Sequence, residues 1–269
     1  EMQAKNQEPR KMTITELLDQ KIAKFPWHAY WLAMEHKWFI SLGAKSDHFR
    51  IRQHVPDEKA HYAADTWDLE YHFPFGWKEL TGVANRADFD LQQHMKVSGK
   101  DLSLYDEETK KKVIPHVIAE PSQGVDRAFL VFLFDAYHDD KERGNVVLHL
   151  HPKLAPIKLC VFPLLSNRDE LTTLARHIFT ELRHDHVCQY DRSGSVGRRY
   201  ARADELGVPY CVTVDFDSLT DKSVTIRDRE TTHQIRVPIA KLREAIHLLL
   251  HGAPFDAQGK PVEVKRETQ

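Results

Sequence analysis

The sequence predicts two joined units of α/β and α+β character, and three observations carry that reading. The chain has 269 residues, more than a single domain usually holds. A period-two stretch from Thr66 to Phe73 closes on Pro74-Phe75-Gly76 and returns from Trp77 to Val83, the pattern of an antiparallel hairpin. From Asn145 onward strands alternate with amphipathic helices, which describes a small α/β domain with a mixed sheet. The linker His151-Pro-Lys-Leu-Ala-Pro156 places the division between residues 1–151 and 152–253, with a polar, frayed tail over 254–269.

In chain order, Thr13-Ile-Thr-Glu16 has capping-box spacing ahead of Ile14, Leu17, Leu18 and Ile22, so a helix starts there. A second helix over His28 to Leu42 carries Trp31, Leu32, Met34, Trp38 and Phe39, read as core, and stops at Gly43. In the hairpin, Trp67, Leu69, Tyr71 and Phe73 form the buried face, and on the return strand Trp77, Glu79 and Thr81 share one face and Lys78 and Leu80 the other. Strands are expected at Asp101 to Tyr105 and at Val113 to Ala119, the latter ending in Glu120-Pro121-Ser122. Val125 to Phe134 is apolar all round and reads as a buried helix. Beyond Val146 to Leu150 come a strand (Ile157 to Pro163), a helix faced by Leu171, Leu174, Ala175, Ile178, Phe179 and Leu182, and a short strand near His186. A glycine-containing turn then leads into a basic helix, followed by strands at Tyr210 to Val214, Val224 to Arg227 and Gln234 to Val237 and a last helix faced by Ile239, Leu242, Ile246 and Leu249.

Composition narrows the function classes. With 41% hydrophobic and 29% charged residues and a net charge of -2, the chain is an ordinary globular protein without a global basic excess for nucleic acid. No apolar run is long enough to span a bilayer. Cys160, Cys188 and Cys211 are odd in number and contain no CxxC pair, which argues against a disulfide framework or cysteine-zinc site and suits a reducing compartment. The opening Glu1 to Met12 is polar, with neither signal- nor transit-peptide character, and reads as part of something longer.

Four features could carry chemistry. At Glu120-Pro-Ser-Gln-Gly-Val-Asp-Arg127 a strand end meets a helix start bearing an arginine in its first turn. A cation is disfavoured there by roughly 0.3–1 kcal/mol while anions are attracted, so Arg127 and the helix N-terminus could hold phosphate. Pairing of Arg127 with Asp126 or Glu120 is the equally weighted alternative. Glu79 projects from a face suited to burial, where Mg²⁺ or an arginine would satisfy it, or else it simply points outward. Asn85-Arg86-Ala87-Asp88-Phe89-Asp90 is either a site loop or an Arg86–Asp salt bridge. Arg192, Arg198, Arg199 and Arg202, interleaved with Tyr190 and Tyr200, suit single-stranded RNA, although a salt-bridged helix face involving Asp191, Asp204 and Glu205 is favoured on base rates. Of the 17 histidines, His184-Asp185-His186 with Cys188 lacks any recognised ligand spacing.

The runs Lys78-Glu-Leu-Thr-Gly-Val-Ala-Asn-Arg-Ala-Asp-Phe-Asp-Leu91 and Ile118-Ala-Glu-Pro-Ser-Gln-Gly-Val-Asp-Arg127 closely resemble the dimeric class II glycyl-tRNA synthetases. Leu154 to Lys158, Gly194 to Tyr200 and Ser223 to Arg229 resemble that family's linker and anticodon-binding domain, and the likeness covers Trp27 to Leu250. The resemblance implies a class II antiparallel-sheet catalytic domain, incomplete at its N-terminus, followed by a small mixed-sheet anticodon-binding domain.

It also implies roles. Gly124, Val125, Asp126 and Arg127 would form the ATP-binding motif 3, Glu79 and Leu80 a second ATP contact with Mg²⁺ at Glu79, and Glu120 and Ser122 the glycine-ammonium site. Arg198, Arg199 and Arg202 are guesses for tRNA contact. The implied reaction activates glycine with ATP to glycyl adenylate and transfers it to tRNA(Gly), by positioning and charge neutralisation, in a cytoplasmic homodimer without zinc. A tight pocket should exclude alanine, since overpacking costs about 1–3 kcal/mol per inserted group. Motifs 1 and 2 of class II enzymes are not found, Glu1-Met2-Gln3 being at most the end of the strand after motif 2, so the isolated 269-residue piece is expected to be impaired or inactive. The rival expectation is a non-catalytic, synthetase-like nucleic-acid-binding accessory protein, against which the retention of Glu79, Glu120, Ser122 and Arg127 counts.

Overall fold

A computed structural model describes residues 10–262; Glu1-Met2-Gln3 and the end of the polar tail lie outside the described residues. The chain separates into two compact units, one ending at Phe134 and one beginning at Asp135.

In the first unit α1 (Ile14–Asp19) opens on the expected capping box. Thr13 Oγ1 accepts from the Glu16 amide at 3.2 Å, and the Glu16 carboxylate accepts from the Thr13 amide at 2.6 Å. Helix α2 (Pro26–Ser41) starts two residues earlier than predicted, with proline in its first turn, where no amide is needed. Its His28, Ala29, Leu32 and Phe39 are buried, but Trp31, Met34 and Trp38 are exposed together with Trp27 and Tyr30. The expected burial of Trp31, Met34 and Trp38 is thus corrected: the helix carries apolar residues on more than one side, interrupted by Glu35, His36 and Lys37, and buries only one of them.

The sheet has the order β1 (Phe49–Gln53), β2 (Asp65–Phe73), β3 (Gly76–Asn85) and β6 (Glu120–Gln123), antiparallel throughout. The predicted hairpin is β2–β3. Between β3 and β6 run α3 (Phe89–Ser98), which ends on left-handed Gly99, and a small ribbon of β4 (Leu104–Asp106) and β5 (Lys111–Val113). The strand expected over Val113 to Ala119 does not form. Backbone pairing there is reduced to a bridge between Ala87 and Val117, and Glu120 and Ser122 lie within β6 rather than past a strand end.

Helix α4 (Val125–Ala136) follows. Its Ala128 and Val131 pack with Phe39, Leu69, Tyr71, Phe73 and Leu80, while Phe129 and Phe134 are exposed, so the expectation of all-round burial is corrected too.

The second unit opens with a hairpin of β7 (Tyr137–Asp140) and β8 (Asn145–Leu148), turning at left-handed Gly144. Its main sheet comprises β9 (Leu159–Pro163), β10 (Cys188–Tyr190), β11 (Tyr210–Val214), β12 (Ser223–Asp228), β13 (Gln234–Pro238) and β14 (Lys260–Pro261), in the order β10-β9-β11-β12-β13-β14. The first three are parallel and the others antiparallel, the mixed sheet the sequence predicts.

Residue alternation along β9 sorts the layers. Leu159 and Val161 face a core shared with α5 (Asp169–Leu182) and α8 (Ile239–Leu250). Cys160 and Phe162 face Ala203 of α6 (Val196–Glu205) and Val208. The short α7 (Phe216–Asp221) completes the unit. Within the described part of the tail expected to fray after Gly252, Phe255–Gln258 form a 3-10 turn and β14 pairs with β13; the rest of that expectation lies outside the described residues.

Asp215 caps α7, accepting from the Ser218 amide at 2.9 Å, and also receives Arg236 at 2.6 and 3.0 Å. Burial pushes its pKa up, but the hydrogen bonds from Arg236 and Ser218 and the charge of Arg236 outweigh this and depress it. Its contribution is therefore present above the unfolded value of about 3.9 and lost as pH falls through the depressed folded value. Melting curves of Arg236→Met should show lower stability at neutral pH and a shallower acid loss; superimposable acid limbs would count against this coupling.

Candidate functional site

The polar face of the first unit's sheet gathers most of the candidate residues. Opposed residues of antiparallel strands share a face. The pairings Arg52↔Asp68↔Gly82↔Ser122 and Thr66↔Ala84↔Glu120 therefore set Glu120 and Ser122 on the face that carries Asp68 and Glu70. That side of β2 is not solvated as a simple alternation suggests: Asp68 is 3% and Glu70 6% exposed. Arginines of β1 cover them. Arg50 bonds Glu70 and lies 4.5 Å from the Trp77 ring centroid. Arg52 reaches Glu58 at 2.9 Å, Glu70 at 3.1 Å and Asp68 at 3.4 Å, and His54 Nε2 meets Asp68 Oδ2 at 2.7 Å.

Glu79 reaches this face through an irregularity. Thr81 pairs with Leu69, but Glu79 pairs with Glu70, so Leu80 is an extra residue in β3. Leu80 (1% exposed) and Thr81 (0%) are both buried. The bulge reverses the phase of the strand, and Glu79 no longer shares a face with Thr81 as strict alternation predicts. The Glu79 Oε1 atom lies 3.4 Å from where a side chain on Gly82 would begin.

The same bulge holds the β6–α4 junction. Arg127 Nη1 donates to the Glu79 carbonyl at 2.5 Å, and the Gly124 amide donates to the Leu80 carbonyl at 3.5 Å. Arg127 thus contacts backbone here rather than Asp126 or Glu120, and Gly124, Val125, Asp126 and Arg127 are all exposed at the helix start. Leu80 is core, being 1% exposed.

Glu120 pairs instead with Arg86, Nη1 to Oε2, at 3.0 Å. Arg86 also grips Asp90 at 2.6 and 2.7 Å and lies 4.0 Å from the Tyr62 ring centroid. The hydrogen bonds that Arg86 donates to Asp90 push the Arg86 pKa up and in turn hold the Asp90 carboxyl low. The salt-bridge reading of Asn85 to Asp90 is met by Arg86 and Asp90, and the same arginine also reaches the Glu120 carboxylate.

Sequence reasoning missed Arg50, Arg52 and His54 as the cover of the polar face. Their period-two spacing is the signal that could have found them.

In the second unit the three guessed arginines part company. Arg199 is 1% exposed and bonds the carbonyls of Pro163, Leu164 and Gly194. As a buried group tying α6 to the end of β9, it does not present its guanidinium to RNA, which corrects the expectation for this residue. Arg202 pairs with Asp191 at 2.6 Å, as the salt-bridged alternative anticipates, and Arg198 is exposed. Among the described residues, no group of three or more His, Cys, Asp and Glu could hold a metal ion. Burial pushes the Cys188 thiol up to about 12.

Residues 158–248 match the family described as the anticodon binding domain. The chain is 49% identical to a glycine–tRNA ligase of Caldanaerobacter subterraneus over 215 residues, 79% of this chain and 46% of the relative. It is 47% identical to those of Corynebacterium glutamicum over 227 residues (81% and 49%) and Geobacillus kaustophilus over 220 residues (81% and 47%). The chain spans about half the length of the curated relatives it matches.

Proposed function

We propose that this chain, which carries the anticodon-binding domain of the class II glycyl-tRNA synthetases, belongs to a glycine–tRNA ligase. The observation that carries the proposal is the convergence of Glu79, Glu120 and Ser122 on one sheet face, beside a helix N-terminus whose first-turn Arg127 is fixed by the Glu79 backbone. An anion is attracted to such a helix start, and an ammonium to the carboxylate and hydroxyl of Glu120 and Ser122.

In this reading Gly124, Val125, Asp126 and Arg127 receive the ATP phosphates, and the backbone of Leu80 lies along the nucleotide. Glu120 and Ser122 hold glycine by its ammonium, with Arg86 fixing the Glu120 carboxylate. The glycine carboxylate attacks the α-phosphorus and pyrophosphate departs; a terminal ribose hydroxyl of tRNA(Gly) then attacks the glycyl carbonyl of the adenylate, losing its proton, and AMP departs. The exposed Glu79 carboxylate fits Mg²⁺, which takes one or two carboxylates together with substrate phosphates. The ion would neutralise phosphate charge there.

In this proposal residues 1–151 form the C-terminal part of a class II catalytic domain and residues 152–253 the anticodon-binding domain, with Arg198 the most accessible of Arg198, Arg199 and Arg202. The parent protein is taken to be a cytoplasmic homodimer. No helix among the described residues is long and apolar enough to cross a membrane.

Amino-acid-dependent exchange of pyrophosphate into ATP by the natural-length polypeptide tests the proposal. Exchange should require glycine and fail with alanine and serine. Absence of exchange would favour a synthetase-like nucleic-acid-binding accessory protein.

A further inference from the structure

Gly82 sits in the middle of β3, at an interior strand position where glycine is conformationally unfavourable. The fold supplies no reason for it. Its φ is not in the left-handed region, and a Cβ built there would meet only Glu79 Oε1 at 3.4 Å and Asp68 Oδ1 at 3.7 Å among the described residues, both side-chain atoms at van der Waals distance. No backbone approaches it. A strand glycine marks a bulge, a bend, or a place where a ligand or another backbone comes close; Gly82 is paired in register with Asp68 and Ser122, past the bulge at Leu80, and no backbone of the described residues lies within 4 Å of its built Cβ, which leaves the ligand.

The surroundings state what kind of ligand. The notch above Gly82 is flanked by two carboxylates. Asp68 is 3% exposed, and its Oδ2 accepts from His54 and Arg52 while Oδ1 is the atom turned toward the notch. Glu79 arrives from the other side because the bulge at Leu80 turns it onto this face. Directly across the ladder from Gly82 stands Ser122, and in the next pair on the same face, two residues along, Glu120 opposes Ala84. A small cationic group placed by Ser122 therefore lies over Gly82.

We infer that Gly82 is a ligand-contacting position of the amino-acid subsite: its missing side chain forms the floor on which the substrate's α-ammonium end rests, between Asp68 and Glu79. This rests on the synthetase reading. It makes backbone, rather than a side chain, the surface on which that end of the amino acid lies. The room left for the ligand is then set by the absence of a methyl group on the protein.

Gly82→Ala in the natural-length protein tests the inference by pyrophosphate exchange with glycine and ATP varied separately. One methyl group in such a site is expected to raise the KM for glycine at least about tenfold, with the KM for ATP and the Mg²⁺ dependence within about twofold. The melting temperature should be unchanged or raised, because alanine suits the strand better than glycine. An unchanged glycine KM, an effect confined to ATP or Mg²⁺, or a fall in melting temperature parallel to the loss of activity would each overturn it. Wild-type protein without glycine-dependent exchange would instead overturn the synthetase reading and this inference with it.

Discussion

Arg127→Ala should reduce glycine-dependent pyrophosphate exchange by about a hundredfold to a thousandfold, the range for removing a preorganised group that stabilises charge in a transition state. Such a loss belongs to kcat/KM, and stability should change by no more than about 0.5 kcal/mol, as for other exposed positions. The geometry gives the reason. Arg127 is exposed, its side chain folds over Gly124, and the contact shown for its guanidinium is the carbonyl of Glu79 at 2.5 Å. That contact occupies Nη1 and orients the planar fork, leaving other donors for phosphate oxygens.

Arg127→Lys keeps the charge but not the fork and should recover only part of the activity. A full-rate Arg127→Ala enzyme would show that phosphate charge is met elsewhere. A variant that lost activity only by unfolding would show that the Glu79 contact is structural.

How much of this was legible in the sequence depends on whether a feature is written in period or in phase. The hairpin and the helix faces of the second unit are periodic, and the fully buried β11 has the bounds expected of it, Tyr210 to Val214. The bulge at Leu80 is not periodic. It adds one residue to an otherwise regular pleat, and every face assignment before it is inverted relative to those after it. Glu79 was consequently singled out as a site residue on an argument that put it on the wrong face.

Helix α3 was missed for a different reason: it has no buried residue among those described, so no apolar stripe marks it. Burial of Arg199 is invisible from composition, since a basic residue in a helix reads as surface until the carbonyls at the end of β9 are brought to it. The pairing of Arg86 with Glu120, 34 positions apart, depends on β6 being hydrogen-bonded to β3, which spacing alone does not encode.

The largest loss of stability is expected from Asp204→Ala in the second unit. Asp204 is 1% exposed on α6 and receives both Nη atoms of Arg227 at 2.8 and 2.9 Å, with Arg143 Nη1 at 3.4 Å. Arg227 is itself 7% exposed and lies 4.8 Å from the Tyr200 ring centroid. Burial pulls the Arg227 pKa down, but the hydrogen bonds and charge of Asp204 raise it overall.

Taking away the carboxylate leaves a buried guanidinium without its counter-charge, which costs about 3–5 kcal/mol when one partner of a buried pair is removed. Thermal melting should therefore drop steeply, and the drop should persist in high salt, because buried pairs are screened much less than exposed ones. Two comparisons separate this from a general intolerance of α6. Arg202→Ala removes the more exposed pair with Asp191 and should cost no more than about 1 kcal/mol. Asp204→Ala combined with Arg227→Met removes both charges and should recover much of the loss, since a buried pair replaced by apolar groups is often close to neutral. If the double variant melts no higher than Asp204→Ala, the unpaired charge is not the cause, and the carboxylate matters instead through Arg143, which ties the β7–β8 hairpin to the carbonyls of Arg229 and Glu230.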